Sequence, residues 1–318
     1  MRASAHPVES YAPRELVVDP AQLGLITTTV VSALGSCVAH HNPERTSVRA
    51  TIFLHGAAGS WTSWTPLLHT AAAHGHPIAN PVLLDLPGWG EASLTEARGD
   101  EAIATLCELV KDLAEELGYT EWDLIGHSLG GFVALHMASL WPHRVLSVGM
   151  VSGTTFSVIN SVTHPFRCFT ELPAFTMLWR VMQVLSLGGR AGAAFVRATD
   201  FIGILGLLTF PLFRHWTRIP SSQRRALALE VRPRTFSVAA LAVHGYDAAK
   251  HWARIDCPVR ATKGDRDVFV TPEDFLALAR VLSRATFTVV PDCGHFGNIE
   301  RPHEVLIALG FLGSTVES

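Results

Sequence analysis

Charged residues are scarce in this chain. Of its 318 residues, 17% are Asp, Glu, Lys or Arg and 48% are hydrophobic, against a usual charged share of about a quarter. That balance excludes an intrinsically disordered protein, which cannot bury enough apolar surface to offset its ordering entropy, and leaves material for a large core. A net charge of −3 gives no electrostatic footprint for nucleic acid, so none is expected as a partner. Cysteine is sparse too: Cys37, Cys107, Cys168, Cys257 and Cys293 form an odd, scattered set without a C-x-x-C pair, which excludes a disulfide framework and a zinc site. A reducing compartment follows, and the expected location is cytoplasmic. Met1–Ser10 lacks the apolar core of a signal peptide. Long hydrophobic runs are missing as well. The most apolar window, Phe201 to Phe210, is too short to span a bilayer and is closed by Pro211, so no integral membrane span is expected.

What the chain has is rhythm. Short apolar runs at Val48–Leu54, Val82–Leu84, Trp122–Ile125, Val145–Val151, Val259–Thr262 and Thr286–Val290 predict strands. Between them, Trp64–His74, Asp100–Leu117, Gly131–Trp141 and Pro272–Leu282 predict helices, the alternation of a parallel sheet covered on both faces. The second helix has an N-cap candidate at Asp100, a C-cap at Gly118, and Ile103, Leu106, Leu109, Val110, Leu113 and Leu117 at helical spacing. Upstream, the moderately apolar Leu23 to Val38, punctuated by Thr and Ser, suits strands. The rhythm breaks after Gly153 and resumes near Asp256. Between Thr154 and Lys250 lie eleven Lys and Arg against four acidic residues, a balance of +7 that leaves −10 for the remainder. The break and the asymmetry together predict a core built from residues 1–153 and 251–318 and an inserted helical cap, 154–250, over the active end of the sheet.

The most informative stretch is Gly126-His127-Ser128-Leu129-Gly130, a G-x-S-x-G frame directly after a predicted strand. A strand that turns sharply into a helix lifts the serine at the apex clear of the sheet on strained backbone angles. Serine needs a base within hydrogen-bond reach and a third group to orient that base. His295 is distinguished among the sixteen histidines by its place in a Gly-rich loop after the last predicted strand. The acid should lie between serine and histidine in chain order at another strand end. Lys263-Gly264-Asp265-Arg266-Asp267 offers two, and Asp267 is preferred because the loop has turned by then, whereas Asp265 can serve as a turn-forming Asx residue. Charge developing on a substrate oxygen needs backbone donors. Leu129 N–H, at a helix N-terminus, is one; Ala57 N–H, in the loop His55-Gly56-Ala57-Ala58-Gly59, is the other, with His55 holding that loop.

These motifs, with Asp85-Leu86-Pro87-Gly88-Trp89-Gly90 between the first and second, stand in the order found in the α/β-hydrolase superfamily. From about Val17 to its C-terminus the chain resembles a serine hydrolase of that family with a helical cap, similar to esterases, lipases and carbon-carbon bond hydrolases. The resemblance implies a mostly parallel, doubly wound sheet of eight strands. It implies that the second aspartate of G-D-x-D, Asp267, is the acid, and that Asp85 is structural. Haloalkane dehalogenases and epoxide hydrolases of this fold carry aspartate at the elbow, so Ser128 argues against both.

The expected activity is cleavage of a carboxylic ester or thioester of a small hydrophobic molecule through an acyl-enzyme on Ser128, with no metal and no organic cofactor. Aromatics of the insertion, among them Phe156, Phe169, Phe175, Trp179, Phe213 and Trp216, are expected mostly in its core, with the run from Phe201 to Phe213 left to line an acyl or aromatic pocket. Arg214, Arg218, Arg224, Arg225, Arg232 and Arg234 read as a solvated face, or alternatively as a site for an anionic substrate end or an acidic membrane surface. The competing functions are a carbon-carbon hydrolase of a diketone-like aromatic cleavage product and a ligand-binding protein that kept the fold without turnover.

Overall fold

The computed structural model describes residues 10–95, 101–164, 168–189, 192 and 210–313. The expected N-cap Asp100 and residues 201–209 of the apolar window lie outside the described residues. Eight strands form one sheet: β1 (Ile26–Ser32), β2 (Gly35–His41), β3 (Arg49–Leu54), β4 (Pro81–Asp85), β5 (Glu121–His127), β6 (Val145–Val151), β7 (Val259–Gly264) and β8 (Ala285–Val290). Their order is β1-β2-β4-β3-β5-β6-β7-β8. β1 and β2 run antiparallel to their neighbours and all other pairs are parallel. Each of the six predicted strands coincides with one of these. The Thr-rich region upstream is the β1–β2 hairpin at the sheet's edge.

Helices cover both faces, which is why β4 is buried throughout and β3 along all but its first residue. Alternation still sorts the side chains by face. Ile52 and Leu54 join a cluster with Leu124, Phe132 and Leu113, while Phe53 joins another with Trp64, Leu67 and Leu306. The first cluster is completed by α2 (Glu101–Glu116) and α3 (Leu129–Leu140), the second by α1 (Thr65–Ala73) and α12 (Pro302–Leu309). α3 is buried from Leu129 to Ser139, so it follows β5 through the middle of the molecule.

Between β6 and β7 the described residues include α4 (Phe156–Thr163), α5 (Cys168–Glu171), α6 (Pro173–Leu187), α7 (Ser221–Glu230), α8 (Pro233–Ala242) and α9 (Ala248–Trp252). Polar clamps fasten this segment to the sheet domain. At its entrance, the buried Asp274 accepts from Thr155 Oγ1 at 2.7 Å and Ser157 N at 2.8 Å, while its other oxygen closes the capping box of α10 (Pro272–Val281) with Thr271. Further along, Arg232 donates to the carbonyls of Gly88 and Gly90 at 2.9 Å each, and Glu230 accepts from Gly90 N at 2.9 Å. No helix among the described residues is long and apolar enough to cross a membrane.

Candidate active site

Strand register brings the predicted residues to one edge. Leu54 pairs with Gly126, His127 with Val151, Val151 with Thr262, and Gly264 with Val290. The loops that follow these residues therefore crowd together beyond the carboxyl ends of the strands, where open α/β sheets bind ligands.

Ser128 sits between β5 and α3 at φ 50° and ψ −118°, a left-handed region that non-glycine residues rarely occupy. Close approach explains the flanking glycines. A Cβ on Gly126 would lie 2.2 Å from Gly130 O, and one on Gly130 would lie 2.0 Å from Leu54 O. The strained turn is held by Ser128 N donating to Val151 O at 3.1 Å and by Thr154 N donating to Ser128 O at 2.9 Å. Because α3 begins at Leu129, that amide belongs to the first turn, where helix N–H groups have no intrahelical acceptor.

His295 Nδ1 and Asp267 Oδ1 are 3.0 Å apart, with side chains 3% and 0% exposed. The same oxygen accepts from Phe269 N at 2.8 Å and Val270 N at 3.2 Å. Burial by itself would raise the Asp267 pKa, but His295, the Phe269 amide and the Ser152 hydroxyl outweigh it and hold the carboxyl below its ordinary value. Asp265 is not the local Asx turn that its position suggested. It accepts from Cys293 N at 3.0 Å and so joins the loop after β7 to the loop that carries His295.

Two further histidines brace the site. Burial lowers the pKa of His55 to about 4; its Nδ1–H donates to Gly56 O at 2.7 Å and its Nε2 accepts from Leu86 N at 3.0 Å. Both nitrogens are thus committed to loop structure. His127, lowered to about 3 by burial and by the neighbouring His295, donates from Nε2 to His295 O at 3.0 Å. Asp85 is also buried. It accepts from Trp61 N and Glu91 N at 2.8 and 2.9 Å, and burial raises its pKa to about 7.

Ser128, His295, Ala57 and Leu129 line one cavity of about 300 Å³. Its other walls come largely from the helical segment: Val158, Phe175, Leu178, Val181, Leu227 and Phe236 among others. Ser128, Thr154 and His295 are the polar lining residues, and no lining side chain among the described residues is charged. Of the insertion's aromatics that were expected mostly in its core, Trp179 and Phe213 are buried outside the cavity, whereas Phe175 lines it and Phe169 is 54% exposed. None of the six arginines lines it. Arg232 in particular is a clamp onto the Gly88–Gly90 turn, a role that a solvated-face pattern did not reveal. No group of three or more His, Cys, Asp or Glu among the described residues is placed to hold a metal ion.

A sheet of this order, with a serine on a strained turn at the end of its central strand, defines the class of fold. The sequence profile described as "Alpha/beta hydrolase family" matches residues 51–309, and the chain belongs to that family. Bifunctional epoxide hydrolase 2 of Mus musculus is 22% identical over 298 residues, covering 83% of this chain and 51% of that protein; the chain thus spans about half the length of this relative. A 2-hydroxy-6-oxononadienedioate/2-hydroxy-6-oxononatrienedioate hydrolase of Burkholderia vietnamiensis is 22% identical over 267 residues, with 82% and 85% covered. Among solved structures, a thermophilic esterase from Thermogutta terrifontis superposes with a TM-score of 0.63 at 20% identity, covering 89% of this chain and 96% of that one.

One buried group in the site was not anticipated from sequence. Glu300, in α11 (Gly297–Glu300), accepts from both Gly294 N and Phe296 N, the residues on either side of His295. A glutamate five residues after a loop histidine carries no pattern that distinguishes it from a helix-surface acid.

Proposed function

We propose that this protein is a serine hydrolase that cleaves a carboxylic ester or thioester of an uncharged, apolar small molecule, with residues 154–250 acting as the cap over its site. The observation that carries this reading is the placing of Ser128 and the Asp267-paired His295 on the floor of a cavity whose described lining has no charged side chain. With Nδ1–H donated to Asp267, His295 offers Nε2 as the base. It takes the Ser128 proton as Oγ attacks the carbonyl carbon, and the amides of Ala57 and Leu129 receive the developing oxyanion. The imidazolium returns its proton to the departing alcohol or thiol. His295 then deprotonates a water that attacks the acyl-enzyme, releasing the acid and restoring Ser128. Side chains and backbone amides supply every step.

The Burkholderia relative favours the second reading, a carbon-carbon bond hydrolase. The substrate in that relative's name is a dioate, however, and the described cavity lining offers no cation to pair with a carboxylate. The mouse relative's name raises epoxide hydrolysis, against which Ser128 stands where aspartate is needed. Fluorophosphonate labelling of wild type and Ser128→Ala, with aryl esters graded by acyl length and matched esters ending in a carboxylate, tests the proposal. Labelling should require Ser128, and neutral acyl chains should exceed their carboxylate-ended counterparts by about tenfold or more in kcat/KM, one unpaired buried charge costing at least ~1.4 kcal/mol. Labelling independent of Ser128 overturns it; salt-dependent KM for the anionic esters would move the choice toward the second reading.

A further inference from the structure

The carboxylate of Glu300 sits where three separate parts of the chain meet. It is fully buried. Its Oε2 accepts from Tyr11 Oη at 2.7 Å, Gly294 N at 2.8 Å and Arg214 N at 2.8 Å, and its Oε1 accepts from Phe296 N at 3.0 Å. Two of those donors bracket His295. The other two come from the N-terminal region and from the segment after the cap's described 3₁₀ turn at Phe210–Leu212. The last residue of that turn also holds the base directly, since His295 N donates to Leu212 O at 2.7 Å, and Leu212 lines the cavity. His215 N closes the circuit by donating to Tyr11 Oη at 3.0 Å.

We propose that Glu300 is a positioning residue for His295, locking the loop of the base to the cavity-lining segment Leu212–His215 so that the imidazole and one wall of the acyl site hold a single relative placement. This rests on the serine-hydrolase reading above. Only an ionised carboxylate can fill the role. It presents about four acceptor sites and no donor, whereas a glutamine in the same place turns an NH₂ toward at least one of the N–H groups that converge there. Burial raises the Glu300 pKa, and the four donors, which belong to the segments it joins, oppose that rise. Asp267 fixes the rotation of the His295 ring. Glu300 fixes the backbone from which the ring projects.

The test measures phosphonylation of Ser128 by an alkyl fluorophosphonate, with the maximal rate and the reagent's half-saturation resolved separately, in the full chain and in Glu300→Gln and Tyr11→Phe. Thermal unfolding and the low-field proton resonance of the His295 Nδ1–H are recorded on the same samples. Well below its unfolding midpoint, Glu300→Gln should lose about 100-fold in maximal rate, the scale expected for a misplaced catalytic group. Its half-saturation should stay within about twofold and the low-field resonance should shift or broaden, since a loosened backbone disturbs the ring's bond to Asp267. Tyr11→Phe removes one donor of four and should lose about three- to tenfold. A folded Glu300→Gln that labels at the wild-type rate with its resonance unmoved, whatever its unfolding midpoint, reduces Glu300 to a stability element and overturns the proposal. If that variant does not fold, a folded Tyr11→Phe labelling at the wild-type rate does the same. Wild type that is not labelled at Ser128 refutes the hydrolase reading instead, which keeps the two failures apart.

Discussion

The floor and the roof of the cavity are made by opposite means. The floor is polar, over-determined and strained. Ser128 is held at positive φ by two backbone hydrogen bonds, and His55, His127, Asp267 and Glu300 are buried with hydrogen bonds to neighbouring loops. The roof offers the cavity aliphatic and aromatic side chains and meets the sheet domain through apolar packing, such as Phe213 stacked on Phe296, and through polar clamps such as Asp274 and the Glu230–Arg232 pair. Directional bonds fix atoms to fractions of an ångström, whereas apolar contact fixes volume and tolerates repacking. In the function proposed above, the floor would determine which bond can be broken and the roof which molecule is admitted.

A floor substitution that left the rate intact would erase the distinction between floor and roof. Asp267→Asn keeps the shape of the site while removing the charge that orients and stabilises the imidazolium, and should lower kcat by about 10⁴-fold with little change in KM, read by steady-state hydrolysis of a neutral aryl ester. The roof should behave otherwise. Leu178→Lys places an ammonium group in a wall whose described side chains carry no charge and should cost about tenfold in kcat/KM for neutral acyl chains while improving esters that end in a carboxylate, the Ser128 labelling chemistry being otherwise preserved. If both ester series fell equally, the roof would not be selecting by polarity.

The smallest expected effect separates the regions by pH. His40, His55, His127 and His136 are buried, with pKa values lowered by burial to about 4, 4, 3 and 4. Below about pH 6.5 the unfolded chain takes up protons at these four positions that the fold refuses, so stability should decline as pH falls from 6.5 toward 4. Asp85, raised by burial to about 7, and the raised Glu230 and Glu300 act in the opposite sense, which makes the slope shallow. Thermal unfolding at pH 7 and pH 5 should show the lower midpoint at pH 5, and His55→Gln should flatten part of the difference.

Much of the floor was legible in the sequence because its chemistry is punctuated locally. Gly126 and Gly130 are demanded by backbone approach, and Ser128, Asp267 and His295 each follow an apolar run that ends in turn residues. The strands were legible for the same reason. Glu300 was not, since its meaning arises only where Tyr11, Arg214 and the His295 loop converge from positions far apart in the chain. Arg232 was read with five other arginines as a solvated face or an anion site, because composition along a helix does not say which side chain finds a carbonyl on another segment. The absence of charge among the described residues that line the cavity is equally a tertiary property: the insertion is basic overall, yet none of its described arginines lines the cavity.

The position of β5 has a consequence for how the protein can fail. It is the fifth of eight strands, with β3 on one side and β6 on the other, and the helix that follows it is buried. Amide hydrogens of such a strand exchange with solvent only when the whole domain opens, while edge elements such as β1 fray at lower cost. The amides of Leu124 to His127 should therefore be among the slowest to exchange, and the capacity of Ser128 to be labelled during gradual heating should disappear at the same temperature as their protection. Residual activity then serves as a reporter of global unfolding, blind to fraying at the hairpin edge.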